Sequence, residues 1–214
     1  MWDERYQGAG FAYGDAPNEW LKQQAHRLPV GGQVLSLAEG EGRNAVYLAS
    51  LGLVVTAMDQ SAVGLEKAQR LAAERHVKIV TVKADLSDYD LGVGRWDGIV
   101  SIWCHLPSKL RHDVHARLVR ALKPGGWLIL EAYTPDQIAR GTGGPKDRDM
   151  LASLDELRDE FNGLEWQSAQ AISRVVSEGS FHAGLSEVVQ LVGRKAVAAL
   201  DGLAQGGDDH AGMA

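Results

Sequence analysis

"VLSLAEGEGRNAVYLA", Val34 to Ala49, decides the fold of this chain. An apolar run enters a glycine turn, and the turn opens directly into a helical pattern. Gly40, Gly42 and Ala45 satisfy G-x-G-x-x-G/A. Glycines at such a turn report tight backbone geometry and close approach to a ligand. A strand, a glycine turn and a helix N-terminus together form an architecture that binds nucleotide-like cofactors. One residue departs from expectation. Such strands often end in an acid, and here the position carries Ser36.

Outward from this stretch the chain alternates strand and helix. "NEWLKQQAHRL" reads as a helix with Asn18 as its N-cap and Pro29 just past its end. "QVLSLAEG" is the first strand, and "RNAVYLASLG" is a helix closed by Gly52. "LVVTAMD" is the second strand, and Ser61 caps the helix "SAVGLEKAQRLAAERH". "VKIVTVKAD" is the third strand. "WDGIVSIW" is the fourth, apolar enough for a parallel strand covered on both faces. A helix, "SKLRHDVHARLVRAL", and a fifth strand, "GGWLILEAY", complete the alternation. The pattern implies a doubly wound, Rossmann-like and mainly parallel sheet. The rhythm then changes. A helix opened by a capping box at Ser153 and Glu156 precedes two strand-like runs, "AQAISRVVSEG" and "SEVVQLVGRK". The loop "GSFHAGL" joins them, so they read as an antiparallel hairpin that completes seven strands. Residues 1–197 read as one domain, and the Gly- and Asp-rich residues 198–214 as a flexible tail.

Asp59 ends the second strand, 17 residues after Gly42. A carboxylate there can accept two hydrogen bonds from a ribose diol. NAD, FAD and S-adenosylmethionine all carry that ribose, so this acid does not separate them. Three further features favour S-adenosylmethionine. Asp85 ends the third strand, where its carboxylate can meet an adenine amino group while the Leu86 amide donates to the ring. Pro124-Gly125-Gly126 makes a sharp turn into the fifth strand. The final hairpin closes the sheet where a dinucleotide fold would usually add parallel strands.

At these residues, from about Tyr6 to Lys195, the chain resembles the class I S-adenosylmethionine-dependent methyltransferases. "GEGRNAVYLASLG" followed by "AMDQS" looks most like the tellurite-resistance-type group of small bacterial methyltransferases. The resemblance implies a methyl transfer from S-adenosylmethionine, with S-adenosylhomocysteine as product, to a small-molecule substrate such as a metalloid oxyanion, a thiol or another metabolite. It implies a cofactor set of Tyr13, Ala38, Glu39, Gly40, Gly42, Arg43, Asn44, Asp59, Gln60, Asp85, Leu86 and Trp103. Ala38 to Gly42 would run beneath the methionine portion, Asp59 would hold the ribose, and Asp85 with Leu86 the adenine. Trp103 and Cys104 would lie near the sulfonium. The Ser36 hydroxyl, or Glu39 close by, must then serve the cofactor's ammonium group. His182, His105 and Glu178 are the candidate catalytic residues. "EGSFHAG" leaves the sixth strand on the cofactor side and would deliver Glu178 and His182 over the site, with His182 usable as a base near neutrality. His105 directly follows the fourth strand. The glycine-rich segment "TPDQIARGTGGPKDRD" reads as a lid or binding loop, with Lys146 and Arg148 facing an anionic substrate. The aromatics Tyr6, Phe11 and Tyr13 read as a cover over the cofactor.

Two other functions compete with catalysis of methyl transfer. One is a nicotinamide-dependent oxidoreductase, although no tyrosine here has a lysine four residues on, as a short-chain dehydrogenase requires. The other is a non-catalytic S-adenosylmethionine-binding module, which the departures at Ser36 and Ala38 keep open. A net charge of -6 argues against general nucleic-acid binding, which needs phosphate-neutralising surface. The [D/N]-P-P-[Y/F] stretch of base-flipping DNA methylases is absent too. No apolar run reaches membrane-spanning length, and the charged start is no signal peptide. The lone Cys104 precludes an internal disulfide and a cysteine-rich zinc site, so no metal is expected and a reducing cytoplasmic setting is.

Overall fold

A computed structural model describes residues 2–197. The expected flexible tail, 198–214, lies outside the described residues. The first helix, α1 (Trp2–Tyr6), was not expected from the sequence, and α2 (Glu19–Gln24) follows it. Then come β1 (Gln33–Leu37), α3 (Arg43–Ser50), β2 (Val54–Asp59), α4 (Ala62–Glu74), β3 (Val80–Lys83), β4 (Trp96–Ile102), α5 (Ser108–Ala121) and β5 (Leu122–Tyr133). The chain closes with α6 (Leu154–Glu160), β6 (Leu164–Glu178) and β7 (His182–Lys195). The sheet order is β3-β2-β1-β4-β5-β7-β6. Strands β1 to β5 are mutually parallel, and β7 lies antiparallel between β5 and β6. The expected sheet and hairpin are therefore both present.

Alternate residues of the central strands feed two cores, one on each face. Val34, Val55 and Val100 pack with Leu21, Leu48 and Leu71 from α2, α3 and α4. Leu35, Ile99 and Leu128 pack with Leu118 and Phe161 from the α5 and α6 side. Each buried aliphatic contributes about 1.5–3 kcal/mol relative to exposure. The local signals work as read. Asn18 accepts from the Leu21 amide, Ser61 from Gly64, and Ser153 and Glu156 form a reciprocal capping box.

Several boundaries differ from the sequence reading, each for a local reason. The helix from Asn18 tightens to a 3-10 turn over Ala25–Arg27. β3 begins three residues late because Val77 still donates to Ala72 O, and His76 has φ +56°. Pro124 to Gly126 form an insertion within β5, between the pairs Leu122–Trp96 and Trp127–Gly98. β6 starts at Leu164, not Ala169, through a bulge between Trp166 and Ser168. β7 starts at His182, not Ser186, so only Gly179, Ser180 and Phe181 connect the hairpin. His182 is consequently a strand residue paired with Glu178, not the loop residue expected.

The carboxyl ends of β1 to β6 share one edge. Chain order reverses between β1 and β4, the place where open sheets of this kind bind ligands. The edge thus has two halves, one from β1 to β3 and the other from β4 to the hairpin.

Candidate active site

On the β1–β3 half, the turn after β1 carries three residues with positive φ: Ala38 (+46°), Gly40 (+62°) and Gly42 (+93°). Gly42 is required for packing, since a Cβ there would stand 2.6 Å from Ala68 Cα of α4. The Ser36 question resolves here. Ser36 Oγ donates to Glu39 Oε2, and Glu39 Oε1 accepts from the amides of Asn44 (3.0 Å) and Ala45 (2.9 Å). A carboxylate thus caps α3, supplied by the turn instead of the strand. Burial raises the Glu39 carboxyl to about 7, against the lowering effect of Ser36, those amides and the field of Arg43.

Asp59 lies beside this turn. Its carboxylate accepts from Gly40 N (2.8 Å) and Ser61 N (2.7 Å), while burial still raises its pKa. Gln60 is exposed next to it. Asp85 is exposed at the end of β3 and accepts from Ser87 N at 2.8 Å, and Leu86 is buried behind it. The N-terminal segment covers this half. Tyr6 is buried against Gly40, where an added Cβ would meet its hydroxyl at 2.6 Å. Buried Glu41 accepts from Lys67 Nζ (2.7 Å) and from the Ala12 amide (2.7 Å), which pins residues 10–12 above the turn.

The other half is built differently. Glu178, at the end of β6, receives Arg43 Nη2 (2.5 Å) and Trp103 Nε1 (2.6 Å) on one oxygen, with Asn18 Nδ2 (2.8 Å) and Arg174 Nη2 (3.2 Å) on the other. Burial opposes its charge, yet Arg43 and these donors hold its carboxyl below the usual range. It is a fully engaged anion, which is not the state of a general base. Fully buried Glu131 on β5 extends the network to Arg174, Asn18 and Gln190. Arg43 is therefore spent in a buried ion pair. Asn44 accepts the Asn18 amide at 2.9 Å, so its side chain faces α2.

Above this network lies a cluster of rings. Trp103, held at φ +57°, stacks on Tyr133 with centroids 4.4 Å apart. The His182 ring lies 5.1 Å from Trp103, 5.3 Å from Tyr133 and 4.7 Å from Tyr13. Tyr13 in turn accepts a hydrogen bond from Arg5 at 2.9 Å. Burial lowers His182 to about 4, which corrects the expectation of a base poised near neutrality. Its Nδ1 is buried without a partner among the described residues. His105 accepts the Tyr133 amide through Nε2 at 3.1 Å, which puts any ring proton on Nδ1, and burial lowers it to about 3. Half-buried Cys104 is pushed up to about 12 by desolvation and is no thiolate. The Tyr133 hydroxyl lies near Ser186 without a well-formed hydrogen bond, and burial raises its pKa.

The glycine-rich loop after β5 folds over these rings. Buried Gln137 donates to Thr142 Oγ1 and Gly143 O and accepts the Glu187 amide, and Thr142 Oγ1 donates to Leu185 O. A Cβ on Gly143 would come within 3.0 Å of Tyr133 Oη. Lys146 is exposed, and Arg148 is turned toward Leu151 O and Glu156, away from the rings. The sequence reading missed Glu131, Arg174 and Tyr133. Their signals were an acid inside the apolar run "WLILEAY", an arginine in the same register as inward residues of β6, and an aromatic at a strand's carboxyl end.

Comparison with known proteins agrees with this geometry. Residues 34–126 match the methyltransferase-domain family. Over 115 residues the chain is 32% identical to the 2-heptyl-1-hydroxyquinolin-4(1H)-one methyltransferase of Mycobacteroides abscessus, an alignment covering 50% of this chain and 51% of that protein. The chain spans little more than half the length of the curated relatives it matches. TehB from Haemophilus influenzae superposes with a TM-score of 0.70 at 18% identity, over 91% of this chain and 65% of that one. A SAM-dependent methyltransferase from Methanosarcina mazei superposes with a TM-score of 0.62 at 16% identity, over 80% and 96%. Residues 34–126 thus match a methyltransferase domain, within a chain that has the fold of the class I S-adenosylmethionine-dependent methyltransferases.

Proposed function

We propose that the protein transfers a methyl group from S-adenosylmethionine to a small-molecule acceptor. The observation that carries this reading is the division of the edge. One half presents a glycine turn with two buried carboxylates, Glu39 and Asp59, that no cationic side chain pairs among the described residues. The other half presents a wall of Trp103, Tyr133 and His182 with unpartnered buried polar atoms. The first suits a ligand bearing a diol and positive charge, and the second suits an acceptor. When bound, the cofactor would supply a methyl carbon already activated by its sulfonium.

The chain's own task is positioning, which can lower a barrier by several kcal/mol. Asp59 would hold the ribose and Asp85 with Leu86 the adenine. Tyr6 and Tyr13 would cover the ligand, and Gln60 would flank it. His182, held neutral by burial, would accept a proton from an acceptor that must lose one as it attacks. Trp103 would wall the reacting centre. Glu178 would position Arg43 and Trp103, and His105 would brace Tyr133. The lone cysteine supports a reducing, cytoplasmic setting.

Calorimetry with S-adenosylmethionine and S-adenosylhomocysteine tests the reading. Wild type is expected to bind both, and Asp59→Ala to bind them at least tenfold more weakly. Absence of binding by folded wild type would sink it. Binding without transfer to any of a panel of metalloid oxyanions, thiols and hydroxylated heteroaromatics would favour a non-catalytic binding module.

A further inference from the structure

We infer that the methyl acceptor is a neutral, flat aromatic molecule bearing an ionisable hydroxyl, stacked on the ring platform of Trp103. The inference rests on the methyl-transfer reading above and names the acceptor class for the same site.

Three rings form the platform. Trp103 and Tyr133 lie 24° from parallel, His105 and Tyr133 11°, and Trp103 and His105 20°. His182 stands across them, at 67° to Trp103 and 87° to Tyr133. Tyr133 is buried, whereas Trp103, Cys104, His105 and Leu106 are all half-buried. The stack is therefore closed at Tyr133 and open along the stretch after β4. A further ring extends it in the near-parallel, offset arrangement that aromatic pairs prefer. A hydroxyl on that ring has two buried polar groups to meet, since His182 Nδ1 and the Tyr133 hydroxyl have no partner among the described residues. The platform is also fixed in direction. Trp103 holds φ +57°, costly for a bulky residue, and its Nε1 donates to buried Glu178 at 2.6 Å. A fixed indole plane selects a flat partner.

Charge disfavours the other acceptor classes. Arg43 and Arg174 are taken up by Glu178 and Glu131, which leaves no spare positive charge beneath the rings. Arg140 pairs with Glu187, Arg148 reaches Glu156, and Lys146 is exposed. Arg5 lies over Phe181 and donates to Tyr13. An oxyanion brought to this wall meets rings and a histidine, with no counter-charge to replace its water. A neutral hydroxyaromatic needs none. In the transfer, the acceptor oxygen bonds the methyl carbon as the carbon–sulfur bond breaks, its electron pair staying on sulfur. The hydroxyl proton passes to His182 and from there to solvent.

The experiment titrates matched ligands by calorimetry onto the full chain loaded with S-adenosylhomocysteine. 2-Naphthol should bind about tenfold more tightly than decahydro-2-naphthol, which has the hydroxyl and the bulk but no aromatic face. It should also bind more than about tenfold more tightly than 3-hydroxy-2-naphthoate, which adds one negative charge. Tellurite should not compete with it. Trp103→Leu should weaken 2-naphthol about tenfold, and Trp103→Phe should restore most of the loss. With S-adenosylmethionine in place, 2-naphthol should yield its methyl ether. Equal affinity for the aromatic and saturated alcohols, or tighter binding of the naphthoate or tellurite, overturns the inference. So does 2-naphthol that binds and is never methylated. If none of these ligands binds the loaded chain, the acceptor class falls while the cofactor reading stands. A chain that does not bind S-adenosylhomocysteine overturns both. Should Trp103→Leu fail to fold, the wild-type ligand comparison decides.

Discussion

The two halves of the carboxyl edge use the same residue types to opposite ends. Each contains buried acids, and on the β1–β3 half Glu41 is already paired with Lys67. On the β1–β3 half, Glu39 and Asp59 are held by backbone amides and a serine hydroxyl, and their charge is left uncompensated. On the hairpin half, Glu131 and Glu178 are saturated by Arg43, Arg174, Asn18, Gln190 and the Trp103 indole. Uncompensated acids are a standing demand for a positively charged ligand. Saturated acids are scaffolding, and they leave rings and a neutral histidine as the working surface. Glycine turns recur in many folds. It is this difference in how buried charge is settled that, under the proposed function, separates a cofactor half from an acceptor half.

The contrast is broken most severely by removing a saturated acid. Glu178→Ala leaves Arg43 and Arg174 short of a counter-charge and strands the Trp103 N–H. The loss of one partner of a buried pair is expected to cost about 3–5 kcal/mol, read as a lower midpoint in urea unfolding. The same change at exposed Asp85 should cost little. If Glu178→Ala were as stable as wild type, the hairpin half would not be the rigid one.

A second test concerns the working surface. His182→Ala should lower turnover about 10²- to 10⁴-fold for an acceptor that must be deprotonated, and far less for one that arrives ionised. Since burial holds His182 neutral down to about pH 4, the acidic limb of wild-type kcat/KM should fall near that value and not near 6.5. A limb at 6.5 that disappears in His182→Ala would mean the ring is solvated in the working enzyme and the wall more open than described.

The cofactor half was readable in the sequence to a degree that the acceptor half was not. Gly40, Gly42 and Asp59 lie within 20 residues, and their spacing reports local geometry. Strand direction also placed Glu178 and His182 at the carboxyl edge, where the structure has them. Their roles were not legible, because those depend on contacts between residues far apart: Asn18 meets Glu178 across 160 positions and Arg43 meets it across 135. Asn18 is visible in sequence as a helix cap, but only its other end shows that it also ties two acids together. Glu39 was legible only as one of two alternatives with Ser36, and its direct contact with that serine was not legible, for a different reason. Three residues of turn, with positive φ at Ala38, bring residue 39 back beside residue 36, and a periodicity argument cannot see a reversal of that kind.

The smallest expected effect sharpens the comparison from the other side. Glu39 has its folded pKa raised, by burial, from an ordinary 4.5 to about 7. A group raised in this way favours the folded state below its unfolded pKa and loses that contribution as pH climbs through the folded value. Ligand-free wild type should therefore lose stability between about pH 4.5 and 7 through Glu39, by roughly 3 kcal/mol. Glu178 titrates in the opposite sense, its lowered pKa giving stability that is lost on acidification. Subtracting Glu39→Gln from wild type isolates the first effect, since both proteins keep Glu178, Arg43 and Asp59. The difference in denaturation midpoint between wild type and Glu39→Gln should shift in the variant's favour from pH 5 to pH 8. It should shrink when saturating S-adenosylhomocysteine supplies the missing positive charge to wild type. A pH-independent difference would mean that Glu39 is settled already, like the acids across the edge, and the contrast between the halves would fail at its central residue.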